Sequence, residues 1–356
     1  MPFTAELDRY FEQRTAQDLF SGVALITQGA HTLYARAFGY AQRGWHVPNT
    51  LGTRFDTASI TKLFTAVATL QLIEQGRLTF DTLVAERLGL VGTAISPAVT
   101  VEQLLTHTSG IGDDADEEAG ESYEDVWKTR PNYSVTETRD FLPQFAYKPA
   151  NFAPGQGCRY CNCGYVLLGL LIETISGMSY RDYVRAHVFA PAGMASSDFL
   201  RMDRVHPNLA EGSDPIRDAD GVISGWKKNI YSYPPIGSPD GGAHVTAADL
   251  DRFLRALLAG RLLSPELTAA FQKPQVLRKS YDGWSQMFGY GPWFHVTHQD
   301  EVVCFEKEGF NAGVSGLIRH FPALDLNVVL LSNMSAGAWQ PIGHMHKMVV
   351  EGKISR

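Results

Sequence analysis

The strand-like segments of this chain lie near its two ends, and that placement limits the folds open to it. Gly22-Val23-Ala24-Leu25-Ile26-Thr27 and Thr32-Leu33-Tyr34-Ala35-Arg36-Ala37-Phe38-Gly39-Tyr40 flank a Gln28-Gly29-Ala30 turn and read as a β-hairpin, preceded by an amphipathic helix over residues 4–19 (Leu7, Tyr10, Phe11, Leu19). Strand-like patterns return only at Tyr290–Val296, Val302–Glu306, Val314–Phe321 and Asn327–Leu331, before a helix at 340–351. The middle is helical or loop-rich. This order suggests one sheet built from both termini, with the helical middle beside it and a groove between. The chain reads as a single domain over 1–356, with an α/β lobe of about 1–58 and 280–356 and a mainly helical lobe of about 59–279.

The passage from strands to helix falls at Phe55-Asp56-Thr57-Ala58-Ser59-Ile60-Thr61-Lys62-Leu63-Phe64. Ser59 and Lys62 stand three apart and share a helix face, so hydroxyl and amine can lie side by side. The apolar pattern runs on through Val67, Leu70 and Ile73 to Gly76. Thr57 or Ser59 could cap this helix, whose start offers free N–H groups and a positive dipole end. A lysine among apolar residues holds its proton less firmly and can act as a base toward a nucleophilic serine. Taken alone, the same spacing also describes an N-capped helix with a surface lysine.

Composition narrows the partners. Asp plus Glu is 38 against 31 Lys plus Arg, a formal charge of −7, and no basic stripe is available to neutralise phosphates, so no nucleic-acid partner is expected. No run approaches the length of a membrane span, and Met1–Tyr10 carries acids where a secretory signal has lysines. The chain as given is therefore expected to be cytoplasmic, with no membrane partner and with its four cysteines as free thiols.

Three other features compete for a role. His107, in the short helix Val101–Gly110, is accounted for by a hydrogen bond inside a turn. Residues 113–125 carry eight acids but lack the alternating ligands and central glycine of an EF-hand, so a solvated loop that could edge a site is expected. From about 200 to 245 the chain is rich in Pro and Gly, as cover over a pocket often is.

Several stretches then point one way together. They are Ser59-Ile60-Thr61-Lys62, Leu104-Leu105-Thr106-His107-Thr108-Ser109-Gly110, and Pro154-Gly155 followed by Tyr160-Cys161-Asn162-Cys163-Gly164-Tyr165-Val166-Leu167-Leu168-Gly169. Pro191-Ala192-Gly193-Met194, Gly241-Gly242-Ala243 ahead of a Thr246-capped helix, and Val328-Val329-Leu330-Leu331-Ser332-Asn333 follow in order. Over roughly residues 5 to 350 the chain resembles the serine β-lactamase and penicillin-binding-protein superfamily, in its class C-like branch of esterases, D-aminopeptidases and related hydrolases.

The resemblance implies an α/β (α+β) fold of the β-lactamase/transpeptidase type: an antiparallel sheet flanked by helices, plus an all-helical lobe, with the active site between them. It implies a Ser59 acyl-enzyme, general-base and general-acid work shared by Lys62 and Tyr160, an Asn162 that bonds the acyl amide or orients Lys62, and no metal or cofactor. A tyrosine is ordinarily a poor base, and cationic neighbours such as Lys62 favour its phenolate. The third family motif, Lys-Thr-Gly or His-Thr/Ser-Gly, is matched to Gly309-Phe310-Asn311-Ala312-Gly313-Val314-Ser315-Gly316. In that register Phe310 replaces the cationic residue and Ala312 the glycine, Asn311 lies in the substrate site, and the Gly313 N–H joins that of Ser59 in an oxyanion hole. A β-lactam carboxylate then loses an anchor. The cysteines Cys158, Cys161 and Cys163 have zinc-like spacing, but Tyr160 and Asn162 must face the pocket, so small buried residues are expected there rather than a metal site.

The expected activity is hydrolysis of a small ester, amide or short peptide. Phe310 and other aromatics (Tyr123, Trp127, Trp226, Tyr231, Tyr233, Trp284, Phe288, Trp293) lean it toward an esterase with an apolar pocket. A D-amino-acid peptidase or amidase, or a weak β-lactamase, is the enzymatic alternative. A catalytically silent binding or assembly protein using the same groove is the alternative of another class.

Overall fold

An eight-stranded antiparallel sheet joins the two ends of the chain in the computed structural model, which describes residues 2–354. Its strands are β1 (Gly22–Gln28), β2 (His31–Phe38), β3 (Val276–Ser280), β4 (Trp284–Phe288), β5 (Trp293–Thr297), β6 (Val302–Asn311), β7 (Val314–Phe321) and β8 (Leu326–Ser332). In space they run β2-β1-β8-β7-β6-β5-β4-β3, so the N-terminal hairpin docks on the last strand, with Gly22 opposite Ser332. The expected α/β architecture and the sheet built from both termini are present.

Helices cover both faces, which explains why β1 and β8 are continuous apolar runs. Ala24, Ile26, Val328 and Leu330 point to helices α1 (Phe3–Ala16) and α5 (Trp339–Val350). Val23, Leu25, Val329 and Leu331 point the other way, into the larger core shared with α2 (Lys62–Glu74), α3 (Asn162–Ser176) and α4 (Ala247–Leu258). Helices α2 and α3 are apolar nearly all round and are buried accordingly. No single helix among the described residues is long and apolar enough to cross a membrane.

Three local expectations change. Strands β3 and β4 escape the sequence pattern because Arg278, Lys279 and Ser280 on the sheet edge break its alternation; Gly283 at φ +81° makes the turn between them. The amphipathic spacing over Thr136–Tyr147 suggests a capped helix, but the segment forms a 3₁₀ turn, Thr138–Phe141, followed by one turn at Leu142–Phe145, since Pro143 has no N–H to continue a ladder. The 200–245 stretch contains a two-stranded hairpin, Ser213–Arg217 with Ile223–Lys228, before its Tyr233–Gly242 part wraps over the groove.

Candidate active site

Ser59 sits in a 3₁₀ turn, Ala58–Thr61, that runs directly into α2. Ala58 before it has φ +41°, a left-handed conformation that is unfavourable for a residue with a Cβ. The Asp56 carboxylate accepts the Ala58 N–H at 2.7 Å, and the Ala58 carbonyl accepts from the Gly242 N–H at 3.3 Å, which holds the bend. The Ser59 N–H lies in the first turn, where no helical carbonyl is available to it.

Four of the side chains singled out in the sequence meet here. Lys62 is 0% exposed, and its Nζ donates to Ser59 Oγ at 3.0 Å, Asn162 Oδ1 at 2.8 Å and the Asp240 carbonyl at 2.6 Å. The Tyr160 hydroxyl donates to Ser59 Oγ at 2.9 Å. Burial pushes Lys62 below the ordinary lysine range, against the Asp240 and Asp113 carboxylates. Burial also raises Tyr160 well above the ordinary phenol range, outweighing its bond to Ser59. The expected cation-favoured phenolate is therefore corrected: Lys62 lies 5.1 Å from the Tyr160 ring centroid, yet loss of water dominates and Tyr160 stays protonated.

The turn carrying Tyr160 and Asn162 is fixed from beneath. Asp113 accepts the N–H groups of Asn162 and Cys163, both at 2.9 Å, and so caps α3. His107, at φ +59°, accepts the Cys161 N–H on Nδ1 at 3.1 Å, and its ring centroid lies 4.6 Å from that of Tyr160. Its carbonyl takes the Arg159 N–H at 3.0 Å. Burial holds His107 well below the ordinary histidine range, so the ring is neutral with its proton on Nε2. His107 is thus bonded in a turn, as the sequence suggested, and that turn positions Tyr160. Burial pushes the Cys161 and Cys163 thiols up, and Cys163 Sγ accepts the Asp114 N–H at 3.2 Å.

The third motif is shifted relative to the sequence reading. Lys307, two residues before Gly309, is the lysine at the groove: it is 0% exposed, and its Nζ has no hydrogen-bond partner among the described residues. That Nζ lies 4.7 Å from the Tyr160 ring centroid and 4.3 Å from that of Trp293. Burial, aided by the nearby Lys62 charge, drives it well below the ordinary lysine range. Lys307-Glu308-Gly309 thus supplies a Lys-x-Gly spacing that the sequence reading passed over. Phe310 does not stand in for the cation; its ring leans toward Trp339 (6.0 Å), and the residue is 56% exposed.

The expected role of Gly313 is corrected as well. Its N–H donates to Asp214 Oδ2 at 2.7 Å and to Ser335 Oγ at 2.8 Å, at the far tip of the β6–β7 hairpin. Asn311 faces Val314 across the two-residue turn and Phe310 faces Ser315. In such a hairpin the pair flanking the turn is hydrogen-bonded and the next pair is not, so the Phe310 N–H points away from β7. Strand β5 pairs β6 no further than Glu306, which leaves this edge open toward Ser59. Gly309 makes the approach possible, because a Cβ there would overlap the Thr57 carbonyl oxygen and lie 3.3 Å from Ile60 Cγ1. Asn311 borders the groove.

Two cavities meet at Ser59. One, about 560 Å³, is walled by Leu200, Met202, Tyr233 and Ile236 together with Asp56, Glu117 and Asp240. The other, about 740 Å³, is bordered by Tyr160, Trp293, Arg278, Lys307 and Glu117. The walls are mixed rather than apolar. Trp226 lies under Arg43, and Trp284 stacks between Tyr281 and His295. The acidic stretch, expected as a solvated loop, is clamped over the groove. Asp113 and Asp114 are buried, Asp116 pairs with Arg159 at 2.6 Å, Glu118 with Arg278 at 3.4 Å, and Glu124 with Lys227 at 2.6 Å.

A serine held between a buried lysine and a tyrosine, at the junction of an antiparallel sheet and a helical lobe, is the arrangement of the serine hydrolases of the β-lactamase/transpeptidase-like fold. Residues 7–342 match the beta-lactamase family, and the chain belongs to it. It is similar to esterase EstB of Burkholderia gladioli (32% identity, covering 92% of this chain and 90% of the relative). Penicillin-binding protein 4 of Amycolatopsis lactamdurans is 29% identical, with 94% and 86% covered. Among solved structures, a penicillin-binding protein from Bacillus halodurans superimposes with a TM-score of 0.86 at 36% identity, over 94% of this chain and 99% of that one.

Proposed function

We propose that the chain is a serine acyl hydrolase that cleaves a small ester or amide through a Ser59 acyl-enzyme. The observation that carries this reading is that Ser59 Oγ lies within hydrogen-bond reach of both Lys62 Nζ and the Tyr160 hydroxyl. In its neutral form Lys62 keeps two N–H donors for its two fixed acceptors, Asn162 Oδ1 and the Asp240 carbonyl, and its lone pair is left for the Ser59 proton. Lys62 is the base in this reading, and Asn162 orients it.

As Ser59 Oγ bonds to the substrate carbonyl carbon, the N–H groups of Ser59 and Phe310 receive the developing oxyanion. Tyr160, still a phenol, gives its proton to the leaving oxygen or nitrogen as the acyl bond breaks. The resulting lysyl ammonium and phenolate share one buried pocket, and a proton passes between them. Water then attacks the acyl-enzyme with the same groups in reverse roles, releasing the acid and restoring Ser59.

Lys307 favours a second substrate reading. A buried amine without a hydrogen-bond partner beside Tyr160 suits a carboxylate on the leaving group, as in a D-peptide terminus or a β-lactam, because the incoming anion favours its protonated form and supplies the anchor that Phe310 lacks. Intact mass after exposure to a generic fluorophosphonate tests the hydrolase reading. One adduct on the native chain and none on Ser59→Ala is expected; no adduct on the folded native chain overturns it and favours a silent binding protein. Release of acid from simple esters but not from a penicillin then separates the two substrate readings.

A further inference from the structure

A cluster of nitrogen, sulfur and oxygen ligands lies on the face of the sheet turned away from Ser59. His295 in β5 and Cys304 in β6 are opposite one another in the ladder, and Glu306 follows two residues on, so the three share a face. Cys304 is wholly buried in the core that the sheet shares with α1 and α5. A ring nitrogen of His295, the Cys304 sulfur and a Glu306 oxygen all lie within 4.8 Å of one another, with His295 Nε2 and Glu306 Oε1 3.0 Å apart. Helix α5 brings a fourth group. The ring centroid of His346 is 6.5 Å from that of His295, and its Nδ1 is buried with no hydrogen-bond partner among the described residues.

The donor set is selective. A thiol, two imidazoles and a carboxylate suit a zinc-type ion, whereas magnesium and calcium take oxygen ligands. Tetrahedral zinc, with bonds of about 2.0–2.3 Å, holds its ligand atoms about 3.4–3.7 Å apart, so small side-chain rotations bring these atoms to one centre. The surroundings are ordered as around a metal. Arg319, opposite Glu306 on β7, is bonded to Oε2, which leaves Oε1 on the His295 side. Trp284 stacks on His295 with the centroids 4.5 Å apart and the planes 12° from parallel, which fixes the ring. The Arg319 charge opposes a cation, but the carboxylate and a thiolate together balance a doubly charged ion.

We infer that His295, Cys304, Glu306 and His346 form a structural site for a zinc-type divalent ion that ties α5 to β5 and β6. On binding, the Cys304 thiol gives its proton to solvent and its sulfur bonds the ion. His295 Nε2 and Glu306 Oε1 exchange their mutual hydrogen bond for bonds to the ion, His295 keeping its proton on Nδ1, and His346 supplies its Nδ1. Four protein ligands leave no open position, so the ion takes no part in the chemistry at Ser59, which lies across β6 on the side of Lys307 and Tyr160.

Cobalt(II), which accepts the same ligands and has a visible spectrum, is the probe, added to the untagged, metal-free chain under reducing conditions. A single equivalent should give a thiolate-to-cobalt charge-transfer band with the d–d bands of tetrahedral coordination, both bleached by zinc. Cys304→Ala should abolish the charge-transfer band, and zinc should raise the Tm of the native chain but not of this variant. His346→Ala should weaken zinc binding by about 10-fold or more. Should Cys304→Ala not fold, His346→Ala decides, because a half-buried helix residue can be truncated without opening the core. No charge-transfer band at millimolar cobalt, a band that survives Cys304→Ala and so belongs to another thiol such as Cys163, or zinc affinity unchanged in His346→Ala overturns the inference.

Discussion

Gly309→Ala isolates the contribution of the β6 edge to the reaction. The backbone at Gly309 runs so close to the Ser59 turn that an added Cβ would fall inside the Thr57 carbonyl oxygen and 3.1 Å from the Thr57 carbonyl carbon. Restoring a normal carbon–oxygen separation requires the strand to retreat by about 1 Å. The Phe310 N–H moves with it, and a donor displaced by that much from about 2.9 Å no longer forms a useful hydrogen bond. Loss of one oxyanion donor lowers kcat by about 100–1000-fold. Overpacking at this one contact costs about 1–3 kcal/mol of stability, which shows as a lower Tm in a chain that still folds. Stopped or continuous ester hydrolysis gives kcat, and a thermal melt gives the stability change. If Gly309→Ala folds and keeps kcat within about threefold of the native value, the Phe310 N–H is not an oxyanion donor and the assignment fails.

Other perturbations read other parts of the site. Lys62 must be neutral to act, so kcat/KM rises with pH through its folded pKa, which burial places below the ordinary lysine range; Asp240→Asn removes a carboxylate that favours the ammonium and should move that limb to lower pH in a pH–rate profile. Lys307 also sits below its unfolded pKa, so the unfolded chain binds more protons between the two values and its contribution makes stability rise with pH across that window. Replacing it with an apolar isostere, Lys307→Met, should raise stability by about 1–3 kcal/mol in a denaturant melt while lowering kcat/KM for substrates with an anionic leaving group; a fall in stability would contradict the unpartnered state of its Nζ. Asp113→Ala uncaps α3 and should cost about 1–2 kcal/mol, with kcat falling because Asn162 and the Tyr160 turn loosen together. His107→Phe keeps the ring but not the acceptor for the Cys161 N–H, and should lower kcat by about 10-fold or more without shifting the Lys62 limb of the pH profile.

What the sequence disclosed was local in the chain. Ser59 and Lys62 are legible because spacing of three on a helix is a geometric statement, and the β1–β2 hairpin because its alternation and turn lie within twenty neighbouring positions. The third motif was misread for a physical reason. Glycines at 309, 313 and 316 fit the motif's register, and Lys307 stands between Glu306 and Glu308, where nothing local marks it as buried. In the strand those three alternate: Glu306 pairs with Arg319 and His295 on one face, while Lys307 points to Tyr160 on the other. The Lys-x-Gly spacing at 307–309 was the available signal. The clamped acidic segment had no such signal, because Arg159 and Arg278, which hold Asp116 and Glu118, lie 43 and 160 positions away.

The docking of β1 on β8 has a consequence for the chain while it is being made. Ser332 Oγ donates to the Ser21 carbonyl across 311 positions, and every residue of β1 finds its partner in the last strand of the sheet. At ordinary synthesis rates of about 5–20 residues per second, Val23, Leu25 and Ile26 leave the ribosome some 15–60 s before β8 exists. Through that interval the N-terminal hairpin presents one open apolar edge, a template for pairing with another nascent copy. The helical middle can collapse early around α2 and α3, whose contacts lie within the chain already made, whereas closure of the sheet waits for the C-terminus. Ser59, just past the hairpin, is thus set in its final place among the last events of folding, and acylation competence should trail helix formation in time.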